Sequence, residues 1–204
     1  CNPHFLYLYT MNKLRWVFII VLVIAAGIGI QLVYFYAPYE IGEPIDSLNH
    51  VQVFYNGSTS NVLERNTTSD NYNLGLKYQC VEFVKRYYYE FLQHKMPDSY
   101  GHAKDFFNPA IADGQLNTQR NLLQFTNGSK SQPKVNDILV LDKSRTNSYG
   151  HVAIISAVEG GYIEIIQQNA GKYATSRDIM ELIQEEGKWV IKNDRVLGWL
   201  RIKN

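Results

Sequence analysis

From Trp16 to Tyr39 the chain carries no charged residue. Within that stretch Val17–Ile30 is continuously apolar or glycine, and Leu32–Ala37 prolongs the run past Gln31. A helix needs about 20 apolar residues to cross a bilayer, so residues 16–36 are expected to form a transmembrane anchor. Trp16 at one end and Tyr34 and Tyr36 at the other sit where aromatic belts form. Lys13 and Arg15 precede the run, while Glu40, Glu43 and Asp46 come after it. The positive-inside rule then puts residues 1–15 in the cytoplasm and the rest on the extracytoplasmic side of a single-pass membrane protein. A cleaved export signal is the alternative. Ala25-Ala26-Gly27 offers small residues, but no A-x-A site precedes a polar start, so the uncleaved anchor is favoured. Met11 is read as the translation start, with residues 1–10 an upstream extension.

Beyond the apolar run, residues 37–50 read as a linker and residues 51–204 as one domain. Setting Lys13 and Arg15 aside leaves 18 basic against 19 acidic residues. That balance offers nothing to hold nucleic-acid phosphates. The 15 tyrosines suit half-buried strands, helix faces or a polymer-binding groove. Cys80 is the only cysteine after the anchor. An exported domain meets an oxidising compartment, and a lone thiol there is either used or deeply buried.

Along the domain, Val51–Tyr55 alternates and ends at Asn56-Gly57, a strand into a turn. Cys80, Val84, Tyr87 and Phe91 recur at helical spacing, which predicts a helix over 78–93. A short helical piece is expected over 102–107. Strands are expected over 135–141, 151–158, 162–169, 189–191 and 196–202. Glu159-Gly160-Gly161 makes a hairpin turn between 151–158 and 162–169. Helix first and antiparallel strands after is an α+β plan.

Five residues carry candidate chemistry. Cys80 falls in the first turn of the expected helix, where free N–H groups and the helix dipole favour a thiolate, the nucleophile that cleaves amides through a thioester. Taken alone, a free cysteine is as readily a buried structural residue. His151 opens a strand directly after Gly150, at a loop mouth, and alone it reads equally as a satisfied rim histidine. In the partner strand Ile163, Ile165, Gln167 and Asn169 share one face, so an amide of Gln167 or Asn169 is available to orient the imidazole. The alternative is that both amides are satisfied by turns. Gln79 and the Cys80 N–H are the candidate oxyanion donors.

Tyr78-Gln79-Cys80-Val81-Glu82-Phe83-Val84-Lys85-Arg86-Tyr87 resembles the nucleophile helix of CHAP domains, most nearly that of the amidase domain of glutathionylspermidine synthetase/amidase. Gln132–Leu141 resembles the family's Pro-x-x-Gly-Asp strand, with Asn136 in the glycine position. Gly150–Ile155 resembles its histidine strand, and Ile165–Asn169 resembles the strand ending Glu-Gln-Asn. The resemblance covers roughly residues 45–204. It implies a papain-like (NlpC/P60-type) α+β fold, N-terminal helices packed on an antiparallel sheet, and amide hydrolysis by a Cys80–His151 dyad without metal or other cofactor. Gln167 stands where the family commonly has Glu, which implies a weaker Cys–His ion pair, and Asn169 matches the family Asn. Export favours peptidoglycan as substrate, cut by an endopeptidase or N-acetylmuramoyl-L-alanine amidase. A glutathionylspermidine-type amidase and a catalytically weak wall-binding module are the alternatives.

Overall fold

The computed structural model describes residues 3–35, 39–98, 100–171 and 175–203; of the side chains, those of 3–14 and 32–35 lie outside the description. The chain divides into two units, Cys1–Pro38 and Tyr39–Asn204. The first is built on helix α1, Pro3–Phe35. The expected fold class is corrected here. Among the described residues no helix is long and apolar enough to cross a membrane. Lys13, Tyr34 and Tyr36, on which orientation and aromatic belt were argued, lie outside the described side chains.

The second unit is mostly β. Its strands are β1 (Pro44–Leu48), β2 (Val51–Phe54), β3 (Arg65–Thr67), β4 (Asn73–Leu76), β5 (Gln115–Asn117), β6 (Leu122–Thr126), β7 (Ile138–Leu141), β8 (His151–Glu159), β9 (Tyr162–Ile166), β10 (Arg177–Glu185), β11 (Lys188–Ile191) and β12 (Val196–Ile202). The several N-terminal helices expected on the sheet reduce to one, α2 (Cys80–Glu90), with a 3-10 turn at Ala103–Phe106. Residues 37–50, read as a linker, contain β1, which pairs with β2.

Eight strands form one antiparallel sheet in the order β11-β10-β9-β8-β7-β12-β6-β5. Its central strands are apolar without alternation because both faces are buried. On one face Ile138, Val140, Val152, Ile154 and Ile166 pack against Phe83, Val84, Tyr87 and Tyr88 of α2. On the other, Leu139, Leu141, Ala153, Ile155, Ile163 and Ile165 meet Met180, Leu182, Ile191 and Trp199 from the same sheet. This second core needs no further layer, because the sheet curls until the segment after β6 reaches β11. Gly128 N–H donates to Trp189 O at 2.8 Å, Trp189 N–H to Ser129 O at 2.7 Å, and the Asn127 amide brackets the Ile191 backbone. Closing the sheet on itself in this way covers strand edges that would otherwise be open.

Two tyrosines fasten α2 to the start of β7. Tyr87 Oη donates to Asn136 Oδ1 and Tyr88 Oη to Asn136 O, each at 2.7 Å. Asn136 has φ +74, the left-handed backbone that glycine adopts freely and Asn tolerates best among the rest. Here the side chain that replaces glycine supplies an acceptor for the helix.

Candidate active site

Helix α2 begins on a strained turn. Tyr78 holds φ +62, a conformation costly for a bulky residue, and Gln79 comes next as the extended N-cap. Gln79 O accepts the first helical bond, from Phe83 N–H at 3.1 Å. Cys80 is therefore the first helical residue, two positions later than the predicted start, and its own N–H has no partner within the helix. The helix ends at Glu90, leaving Phe91, predicted to join the apolar stripe, exposed.

His151 opens β8, and a glycine sets its approach. Gly150 has φ +76, and a Cβ there would stand 2.6 Å from Leu141 O and 2.8 Å from Lys104 Cβ. Any larger residue would push the 3-10 turn off the strand and displace the imidazole behind it. His151 Nε2 lies 3.0 Å from Gln167 Oε1. The Gln167 amide nitrogen donates to Thr175 O at 3.2 Å, and a carbonyl can only accept. The Gln167 oxygen must therefore face the ring, so the ring proton sits on Nε2 and Nδ1 keeps its lone pair. The pair is diagonal across the β8–β9 hairpin, as the period-two reading predicted for this face.

The thiol reaches the same strand from the helix side. The N–H of Val152, the peptide group directly after His151, and those of Val81 and Cys80 favour the charged form of the sulfur. No hydrogen bond joins sulfur to imidazole among those described. Cys80 is half-buried, and His151 is 8% exposed. Burial pushes the Cys80 thiol up from its ordinary value despite these N–H groups. Burial likewise takes His151 down to about 4, with Gln167 opposing and the nearby Arg195 charge assisting. The thiolate expected from the helix dipole is thus corrected: desolvation of the charged form outweighs the helix end, and the resting pair is neutral.

Asn169 does not reach the imidazole. Strand β9 stops at Ile166, and Asn169, at φ +58, turns its amide to Gln79, Nδ2 to Oε1 at 2.6 Å. Gln79 Nε2 in turn donates to Asn61 O at 2.6 Å. Sequence reasoning missed Gln168, which is fully buried. Its nitrogen donates to Gln79 O at 3.0 Å and Glu82 Oε2 at 2.9 Å, and its oxygen accepts from Phe54 N–H at 2.8 Å. Glu82 also accepts from Arg86 Nε at 2.6 Å and Asn66 Nδ2 at 2.9 Å. The signal for Gln168 was present in the sequence. The alternation that sets Gln167 on the histidine's face turns its neighbour toward the helix. Glu164 is held by Ser156 and Arg177, each at 2.7 Å.

Beside Gln167 and Asn169 lies a small groove, walled by Phe54–Gly57 on one side and Ala170, Gly171, Thr175 and Ser176 on the other. Its described lining holds no ionised side chain. Among the described residues no group of three or more His, Cys, Asp or Glu could hold a metal ion.

The family model of the CHAP domain matches residues 70–169. Trypanothione synthetase of Crithidia fasciculata is 28% identical over 162 residues, covering 78% of this chain and 23% of that protein. The bifunctional glutathionylspermidine synthetase/amidase of Escherichia coli (strain K12) is 31% identical over 150 residues, covering 67% of this chain and 23% of that protein. The chain thus spans less than a quarter of the length of these relatives. Among solved structures, the endolysin LysIME-EF1 is 17% identical with a TM-score of 0.38, covering 70% of this chain and 60% of that one. Ly7917 with the hydrolysing product of MDP is 19% identical with a TM-score of 0.39, covering 61% and 54%. The matched stretch runs from β4 through the helix of Cys80 and the strand of His151 to Asn169, and over it the chain is a CHAP domain.

Proposed function

We propose that this chain is a cysteine amidohydrolase that cleaves a peptide-like amide, of the kind found in peptidoglycan, through a thioester on Cys80. The observation that carries the reading is the Nε2–H to Gln167 bond, which leaves His151 Nδ1 as the free base beside the strand that the thiol touches. In the reaction Nδ1 takes the thiol proton as sulfur bonds to the carbonyl carbon. The oxyanion is met by the Cys80 N–H and the Gln79 amide. The imidazolium then gives its proton to the leaving nitrogen as the C–N bond breaks. Water, deprotonated by the same nitrogen, releases the acid and restores the thiol. No hydrogen bond between sulfur and imidazole is described at rest, and dyads of this sort tighten when substrate arrives.

Among the described residues the groove lining carries no charge, and this supports a neutral peptide segment as the occupant. A polyamine conjugate would call for carboxylates there, and the nearby Asp46 and Glu164 are both tied to Arg177. Peptidoglycan lies outside the cytoplasm, so the reading carries an extracytoplasmic site of action, which fractionation of the producing cell would check. The direct experiment is release of soluble muropeptides from purified sacculi. Wild type should release them, and Cys80→Ala should lower the rate by at least about a thousandfold. Equal release from both proteins defeats the reading. The second reading, a glutathionylspermidine-type amidase, is favoured by the relatives at 28 and 31% identity. Free spermidine produced from that conjugate, with intact sacculi left unchanged, would establish it instead.

A further inference from the structure

We propose that Asn169 is the positioning residue of the oxyanion donor, acting through Gln79, and has no part in orienting the imidazole. The inference rests on the amidohydrolase reading and deepens it. Gln79 is fixed at both ends of its amide. Its oxygen accepts from Asn169 Nδ2 and its nitrogen donates to Asn61 O, both at 2.6 Å. The two partners differ in kind, one a donor and the other a carbonyl that can only accept, so only one of the two flip states satisfies both. An amide nitrogen has two hydrogens. Asn61 O uses one, and the other is assigned to the oxyanion together with the first N–H of α2, which has no partner within the helix. These two N–H groups make the pocket for a developing oxyanion.

Without Asn169 the Gln79 oxygen loses its donor and only Asn61 O still selects the flip state. A looser amide then samples orientations that offer an acceptor to a negative charge. The histidine has its own amide, Gln167, so that arm of the site is independent of Asn169. The assignment also explains why a non-glycine residue stands at φ +58. The left-handed backbone aims the side chain back across the strand end toward the helix, and Asn is among the residues that accept that conformation at least cost.

The experiment compares two reagents on the full chain. Acylation of Cys80 by p-nitrophenyl acetate passes through a tetrahedral oxyanion, whereas alkylation by iodoacetamide does not. Both are read on the Cys80 peptide by mass spectrometry, since Cys1 also carries a thiol. Asn169→Gly keeps the backbone and removes the amide, and Asn169→Asp keeps the shape and removes the donor. Each should slow acylation about ten- to a hundredfold, at or below the roughly hundred- to thousandfold cost of outright loss of an oxyanion donor, and leave alkylation within twofold. Gln79→Ala should do the same, and Gln79→Ala with Asn169→Gly should be no slower than Gln79→Ala alone. A parallel fall in both reactions, no fall in either, additive effects in the double variant, or no acylation of the wild type overturns the assignment. Neither reagent requires the natural substrate, so a failed sacculus assay would count against the proposed substrate and leave this measurement standing.

Discussion

The two faces of the large sheet are buried by different means. One is covered by a helix, through Phe83, Val84, Tyr87 and Tyr88; the other is covered by the sheet itself as it curls, through Leu139, Ile155, Leu182 and Trp199. The difference matters for chemistry because the two halves of the site belong to different cores. Cys80 packs with the helix-side core. By strand alternation His151 and Gln167 cap the curled side, where Ala153, Ile155, Ile163 and Ile165 lie. The site stands at the rim where both end, so each core holds one reacting group and neither holds both.

The strongest way to break this comparison is to hollow out one core at a time. Phe83→Ala should cost about 3–5 kcal/mol and Leu139→Ala about 2–5 kcal/mol, as buried large-to-small changes do. Urea denaturation gives the totals. The separation is read in conditions where both variants remain folded. Phe83→Ala should alter the iodoacetamide rate at Cys80 and spare the His151 ring resonances. Leu139→Ala should disturb those resonances and spare the thiol. The same pattern from both would mean one core, not two.

Proton linkage tests the curled side alone. His151 is held at about 4 in the fold against 6.5 when free, so the unfolded chain binds the proton more readily between those values. The neutral, buried ring therefore contributes fully above pH 6.5, and its contribution is lost as pH falls through 6.5 toward 4. At about 1.4 kcal/mol per unit, the loss amounts to roughly 3–4 kcal/mol at most. Stability measured at pH 7 and pH 4.5 should fall less in His151→Gln than in wild type. An identical fall in the two proteins would show that the ring is not buried neutral.

Gln168 bridges the two sides, since it leaves β9 one residue after Gln167 yet binds the helix. Gln168→Ala strands the Phe54 N–H and takes one donor from the buried Glu82 carboxylate. Loss of about 2 kcal/mol is expected, by the cost of unpaired buried polar groups. Gln167→Ala should cost less, because its partners are one histidine nitrogen and one carbonyl near solvent at Thr175. Thermal or urea unfolding of the two variants side by side ranks them, and the reverse order would remove Gln168 from the bridging position.

Local periodicity carried much of this architecture. Helix α2, the β8–β9 hairpin and β12 stand where their apolar spacing put them, because each is specified by residues close in sequence. Strand β10 was missed. Arg177–Glu185 is rich in Glu, Met, Leu and Gln, good helix formers, and its alternation shows only through Met180 and Leu182 facing inward. Strand β1 was hidden in a segment with prolines and acids that reads as a linker. The curl of the sheet is a contact between segments some 60 residues apart, Asn127 and Ile191, and no window of sequence displays it. At the site, period two found Gln167 but misjudged Asn169, because the strand ends first and a positive φ redirects the side chain. The state of the thiol was misjudged for another reason. The helix end is visible in a sequence, whereas the burial that overrides it is a property of the folded pair.

The smallest effect expected comes from restoring a charge. Gln167→Glu would set a carboxylate against His151 Nε2–H, and a neighbouring opposite charge stabilises the imidazolium by roughly 1–3 pKa units. The ring would then rise from about 4 toward neutrality, and an ion pair with the Cys80 thiolate would gain population. Iodoacetamide labelling of Cys80 at pH 6 should quicken about tenfold relative to wild type, the lower part of that range. Wild type itself should show only a rise at alkaline pH, with no plateau between about pH 4 and 8, since both of its groups are neutral there. The substitution also sets a carboxylate oxygen against Thr175 O, where Gln167 now donates, so some stability is lost as reactivity is gained. A labelling rate unchanged by Gln167→Glu, in a protein whose His151 resonance shows the raised pKa, would mean that the imidazole does not govern the thiol. The two cores would then meet at the rim without making a dyad.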